Sequence, residues 1–148
     1  MKKNLFLVFT ALLTITLSVF AADWVQIYEK IYLDASSLSS YNYYANYNND
    51  KLYSIWGKML NDGKQNWKVL ENYSGKKAWY NKTQWIVNCS KNEIAVKSTV
   101  WYDLKEDIIG NYDSNYLDWK SVTPETVGEG IYHTVCRATA PKIKIRSR

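Results

Sequence analysis

After residue 22 the chain alternates apolar and polar positions with a period of two in several separate runs, and shows a period near four only once. Residues 23–28 put Trp24, Gln26 and Tyr28 on one side and Val25 and Ile27 on the other, which predicts a first strand. A polar break at Glu29-Lys30 and a short run at 31–34 complete a hairpin. The serine-rich residues 34–40 read as turn chemistry, a single helical turn capped by Asp34. Residues 52–60 form the next strand, with Tyr53, Ile55 and Gly57 alternating against Ser54, Trp56 and Lys58. Asn61-Asp62-Gly63-Lys64 ends it with an Asp-Gly turn signal. Residues 66–82 carry only a brief alternation of Trp67, Val69 and Glu71 and then turn polar. They read as a partly irregular connection with at most an edge strand.

The clearest hairpin spans residues 84–104. Trp85, Val87 and Cys89 share one face of its first arm, with Ile86 and Asn88 on the other. In the second arm Ile94, Val96, Ser98, Val100 and Tyr102 form one ladder, and Ala95, Lys97, Thr99 and Trp101 the other, which reads as the wetter. Residues 105–119 are rich in Asp, Asn and Gly and predict a loop with one weak strand near Ile108-Ile109. One helix follows. Thr123 is placed as its N-cap, Pro124 at the first helical position and Glu125 in the first turn, where its charge suits the helix dipole. Val127, Ile131 and Val135 then make an apolar stripe with Cys136 beside it. Strands first and a helix last predict an α+β fold: a single antiparallel β-sheet of about five or six strands with one C-terminal helix packed on it.

The first 21 residues stand apart. Lys2 and Lys3 precede an apolar run from 5 to 20, and Val19-Phe20-Ala21 suits cleavage after Ala21, the pattern of a signal peptide. Removing the two lysines takes the formal net charge from +5 to +3. No second apolar run and no lipid-accepting cysteine follow, so export without a lipid anchor is expected. Export leads to an oxidising space, where Cys89 and Cys136, the two cysteines of the chain, are expected to pair and tie the helix to the sheet. Residues 138–148 hold Lys142, Lys144, Arg146 and Arg148 with no acid and read as an exposed basic tail able to meet an anionic surface. The chain is rich in Tyr (13) and Trp (7), residues that serve half-buried strands and contact surfaces alike. Tyr43, Tyr44 and Tyr47, set among asparagines, are candidate contact residues on the second reading and a strand start with an expanded loop on the first.

Catalytic chemistry finds little support. The one histidine, His133, lies three residues before Cys136, so a Cys–His nucleophile needs a free thiol. The carboxylates at Asp103, Glu106 and Asp107, and at Glu125 and Glu129, read as a solvated turn and a helix face rather than a glycosidase pair. No phosphate loop, nucleophile elbow, zinc motif or cofactor fingerprint is present. The Asn-x-Ser/Thr matches at Asn72, Asn81 and Asn88 are as expected by chance in so Asn-rich a chain.

Trp24, Tyr32-Leu33-Asp34, the Tyr53-Ser54-Ile55-Trp56-Gly57-Lys58 strand, Trp85-Ile86-Val87-Asn88-Cys89 and the Val122 to Glu129 run leading to Cys136 occur in an order that resembles the surface-adhesin protein E-like domain of bacterial envelope proteins. The resemblance covers residues 23–136. It implies one antiparallel sheet with a disulfide-tied C-terminal helix, and binding of host proteins such as vitronectin, laminin or plasminogen, with a homodimer admitted. The reading is therefore a leader (1–21), an adhesin E-like domain (22–137) and a basic tail (138–148). Its expected role is that of an exported, non-enzymatic envelope protein, periplasmic, surface-bound or secreted, contacting an extracellular-matrix or envelope protein. No cofactor, metal or nucleic acid enters it. A small envelope enzyme acting on glycan or peptide, and a structural periplasmic protein without a ligand, are the alternatives.

Overall fold

The computed structural model describes residues 22–43, 50–61, 63 and 67–140. Residues 1–21, Tyr44, Tyr47 and the basic residues Lys142, Lys144, Arg146 and Arg148 lie outside them. The described chain is an antiparallel meander: β1 (Trp24–Tyr28), β2 (Ile31–Ser40), β3 (Leu52–Leu60), β4 (Tyr80–Asn88), β5 (Glu93–Tyr102) and β6 (Ile108–Asp113) lie side by side in chain order. A two-residue β7 (Lys120–Ser121) pairs with the start of β5. Two helices complete it, α1 (Lys68–Ser74) and α2 (Val127–Ala138). The α+β class, the sheet and the C-terminal helix are as the sequence predicts.

The sheet has a helix face and an open face. On the helix face Leu33, Ile55, Trp85 and Val87 meet Ile131 and Val135 of α2 in the main core. The predicted stripe of α2 does this packing, and full burial of each such side chain stabilises by about 1.5–3 kcal/mol. Leu70 of α1 lies over Gly110 of β6, which pairs with Trp101 on the same face. Cys89, one residue beyond β4, is bonded to Cys136 of α2, with a Cα–Cα distance of 5.7 Å. Gly57 is required where it stands: a Cβ there would meet the Trp85 indole and come within 2.8 Å of the Tyr32 carbonyl oxygen.

Several local expectations are corrected. β2 does not stop at Asp34 but runs ten residues, to Ser40. The serine turn chemistry exists, folded into an irregularity of the strand: Asp34 Oδ1 accepts from the Ser36 amide at 3.0 Å, and Ser37 Oγ donates to the Asp34 carbonyl while accepting from the Trp56 amide at 2.9 Å. Pairing then resumes at Ser39 with Ser54. Among its described residues the irregular connection contains no edge strand, and its last three, 80–82, begin the central strand β4. The connection contains α1, ended by Gly75 at φ 66° and fixed by Glu71, whose carboxylate accepts from the Ala78 amide at 3.1 Å. The weak strand at Ile108-Ile109 is a six-residue strand, β6.

The two ladders predicted for β5 are also wrong. Gln84 pairs with Ser98 but Trp85 with Val96, so Lys97 is an extra residue that reverses the alternation. Ala95 and Thr99 are buried, whereas Val96 is exposed. The predicted wetter set is therefore the drier one.

The helix also starts later than predicted. β7 and the Val122 amide, which donates to the Asn92 carbonyl, hold the chain in the sheet up to residue 122, and Glu125 takes φ 60°. Neither Thr123 nor Pro124 is helical. Thr126 is the N-cap: its Oγ1 accepts from the Glu129 amide at 3.3 Å, and Glu129 Oε2 accepts from the Glu125 amide at 2.9 Å.

Candidate functional site

The pairing register sets the side chains of the open face in rows. One row runs Trp24, Asp34, Trp56, Gln84 and Ser98. The next runs Gln26, Tyr32, Lys58, Lys82 and Val100, and a third Leu60, Tyr80 and Tyr102. Directly paired residues point to the same side of a sheet, so these rows form one surface. Both helices lie on the opposite side. At one end, Leu117 closes over Leu52, Ile86 and Ala95, with Tyr41, Tyr43 and Trp119 packed around them. The three rows beyond that end are half-exposed, save the buried Tyr80 and the exposed Gln26.

The chemistry of these rows is aromatic and cationic. Tyr80 and Tyr102 stack with centroids 4.7 Å apart and planes 12° from parallel. Lys58 Nζ lies 4.3 Å from the Tyr80 ring centre, and Lys82 Nζ 5.4 Å from that of Tyr102. Such contacts are worth about 0.5–1 kcal/mol at exposed sites and hold a long side chain against the sheet. Among the described residues neither ammonium has a carboxylate partner. Burial, with Glu106 and Tyr102 nearby, raises the Tyr80 phenol above its ordinary range, so it stays a neutral donor at physiological pH.

The acids are tied into the frame. Asp103 is buried, which pulls its carboxyl up. The amides of Asp107 and Lys105, with the Lys76 ammonium, outweigh that and hold it below the usual range. Asp50 is held low chiefly by Lys91, 2.7 Å away, against a smaller pull from burial; Asn88 also donates to it. Glu129 and Glu125 form the helix start. His133 lies on the exposed side of α2 with Nε2 3.5 Å from Glu129 Oε1, and both cysteines are bonded, so no thiol stands near it. The Asn88 sequence match is inaccessible: Asn88 is 2% exposed and its side-chain oxygen accepts from the Ser90 and Lys91 amides. Among the described residues no three His, Cys, Asp or Glu side chains gather to hold a metal ion. A cleft of about 400 Å³ beside the start of α2 is lined mainly by apolar residues, among them Met59, Trp85, Ile94 and Val127. The charges at its edge, Asp118 and Lys120, pair with each other at 2.8 Å.

Of the predicted contact residues, Tyr43 sits at the closed end of the open face and lines a cleft there with Asp50, Lys91 and Trp119. Sequence reasoning missed Tyr32, Trp56, Lys58, Lys82, Tyr80 and Tyr102 as a group. The alternation within β3 already sets Trp56 and Lys58 on one side, but only the cross-strand register joins them to β2, β4 and β5.

A helix clasped to one face by a disulfide, with the other face open, is the arrangement to compare with known proteins. The family model for surface-adhesin protein E matches residues 24–137. The chain belongs to the surface-adhesin protein E family. No curated protein sequence matches it. Among solved structures, Haemophilus influenzae protein E is similar at 13% identity, over 78% of this chain and 84% of that one, with a TM-score of 0.50. A selenomethionine form of the same protein gives 14% identity, 77% and 85% coverage, and a TM-score of 0.52. At such identity the likeness concerns the fold. The resemblance read from the scattered sequence pieces is borne out, and membership of an adhesin family points to a non-enzymatic protein. Among the described residues no helix is long and apolar enough to cross a membrane.

Proposed function

We propose that this member of the adhesin E family is an exported binding protein that contacts an extracellular-matrix or envelope protein through the open face of its sheet. The observation that carries the reading is the row pattern of that face: stacked and flanking aromatics around two ammonium groups without acid partners, with both helices packed on the other side. Rigid aromatic side chains lose little entropy on contact and supply most of the binding energy in typical interfaces. Residues 1–21 act as the leader on this reading, and the domain works at the cell surface or in the periplasm. Tyr43, at the closed end of the face, adds to the contact, and Tyr44 and Tyr47 contribute on the same reading. Lys142, Lys144, Arg146 and Arg148 add a salt-sensitive attraction.

The test is saturable binding of the purified protein to immobilised vitronectin and laminin, repeated with Trp56→Ala. Truncating a central aromatic anchor is expected to weaken binding by about tenfold or more. The Tyr43→Ala, Tyr44→Ala, Tyr47→Ala triple variant should weaken it less. Unchanged affinity in a folded Trp56→Ala protein removes the open face as the contact surface.

A further inference from the structure

We infer that the open face takes an anionic polysaccharide, a chain bearing uronate carboxylates or sulfates; the inference rests on that face being the contact surface. Charge placement carries it. Lys58 and Lys82 sit at the middle of the sheet, each held against a tyrosine ring rather than against an acid. Asp113 and Asp50 are paired with Lys97 at 2.7 Å and with Lys91, and Asp34, in the first row of the face, is turned to the Asp23 amide and Ser36. Glu106 approaches Tyr80 from the loop after β5, at one end of the third row. Two ammonium groups therefore stand at the centre of the face without a carboxylate partner among the described residues, and the complement is an anion. A cation lying on a ring keeps its charge while its chain is held in place, so less side-chain entropy is lost when an anion arrives.

The same surface favours a polysaccharide over an acidic peptide. Peptides are commonly read through a free sheet edge, a helix groove or a pocket for a backbone terminus. Here β3 lies between β2 and β4, and β4 between β3 and β5, so their backbone groups are consumed by the sheet. What the rows offer is side-chain tips. The ammonium groups suit carboxylate or sulfate, the rings suit the C–H faces of sugar units, and the Gln84 amide suits a hydroxyl. A polysaccharide needs no more than these.

The experiment measures binding of the purified protein to heparin, hyaluronan, neutral dextran and poly-L-glutamate at increasing salt. Heparin and hyaluronan are expected to bind saturably and to weaken with salt, and dextran not to bind. Poly-L-glutamate at matched charge is expected to bind about tenfold more weakly than heparin. The variant K58M/K82M keeps the apolar stems on the rings and should lose about tenfold in heparin affinity. K58R/K82R should restore most of it. K68M/R137M removes the same charge from the two helices and should change affinity less than about twofold, as screening of distant charges predicts. The inference is overturned if K58M/K82M, with an unchanged melting temperature, binds heparin like the unmodified protein or loses no more than K68M/R137M. It is also overturned if poly-L-glutamate binds as tightly as heparin. Neither result bears on the matrix-protein measurement with Trp56→Ala, so the two readings fail separately.

Discussion

Gly57 and Trp85 occupy one space: the indole of Trp85 lies where a Cβ of residue 57 would be. The pair sits on the helix face, with Leu33 also within 2.9 Å of that missing atom. Trp85 is 7% exposed and belongs to the main core, so it has no free volume to move into. Gly57→Ala is expected to destabilise the domain by about 1–3 kcal/mol through overpacking. Chemical denaturation measures it. The double variant Gly57→Ala, Trp85→Leu should cost less than the sum of the two single changes, because each relieves the other.

The disulfide is expected to be a main source of stability. It closes a separation of 47 residues between the end of the clearest hairpin arm and α2. On the chain-entropy model such a loop contributes about 4 kcal/mol. Non-reducing mass spectrometry should find Cys89 joined to Cys136. Denaturation with and without reductant should show a loss of this order, while the meander without α2 keeps its β-signal longer than α2 keeps its helical one.

The start of α2 gives a sharp pair of mutations. Thr126→Ala removes the side chain that accepts from the Glu129 amide and should cost about 1 kcal/mol. At Thr123 it is the backbone carbonyl that accepts, from Thr126 Oγ1 at 2.6 Å, so Thr123→Ala leaves that bond intact and should stay within about 0.5 kcal/mol. Equal losses in thermal melts would return the cap to Thr123.

Acid should weaken the fold through Asp103 and Asp50. Both carboxyls are held below their ordinary value in the folded chain. Their contribution is therefore complete above the unfolded value, near 3.9, and is lost as pH falls through the lower folded values. Stability measured between pH 6 and 2 should drop most steeply below about 4. Asp103→Asn should flatten that slope, since its neutral amide oxygen can still accept from the Lys105 and Asp107 amides.

Much of the fold was legible because burial writes a period into the sequence. β3 and the first arm of the long hairpin keep a period of two and α2 buries the single stripe of Ile131 and Val135, so each was legible, although Leu52 and Ile86 are buried on the open face as well. The failures have a common cause in tertiary pairing. Nothing in the unbroken alternation from Ile94 to Tyr102 marks Lys97 as the extra residue, because the reversal comes from β4. β6 contains Gly110 and Asn111, poor strand formers, and exists because β5 offers it an edge. α1 is too short for periodicity to declare and is held by Gly75, Glu71 and the place of Leu70 on Gly110. Pro124 misled because its preference for a helix start is outweighed by β7, which keeps the chain in the sheet until Val122. The open face was illegible for the same reason as the bulge: its residues come from five strands, and register alone brings them together.

The most direct measurement is oxidative footprinting of the aromatic side chains, free and bound to a matrix protein or to heparin. Contact through the open face predicts protection of Trp24, Tyr32, Trp56 and Tyr102, with Tyr73 and Tyr116, at 92% and 83% exposure, reacting as before. Protection of Tyr73 and Tyr116 with Trp56 and Tyr102 unchanged would place the partner elsewhere and contradict the account.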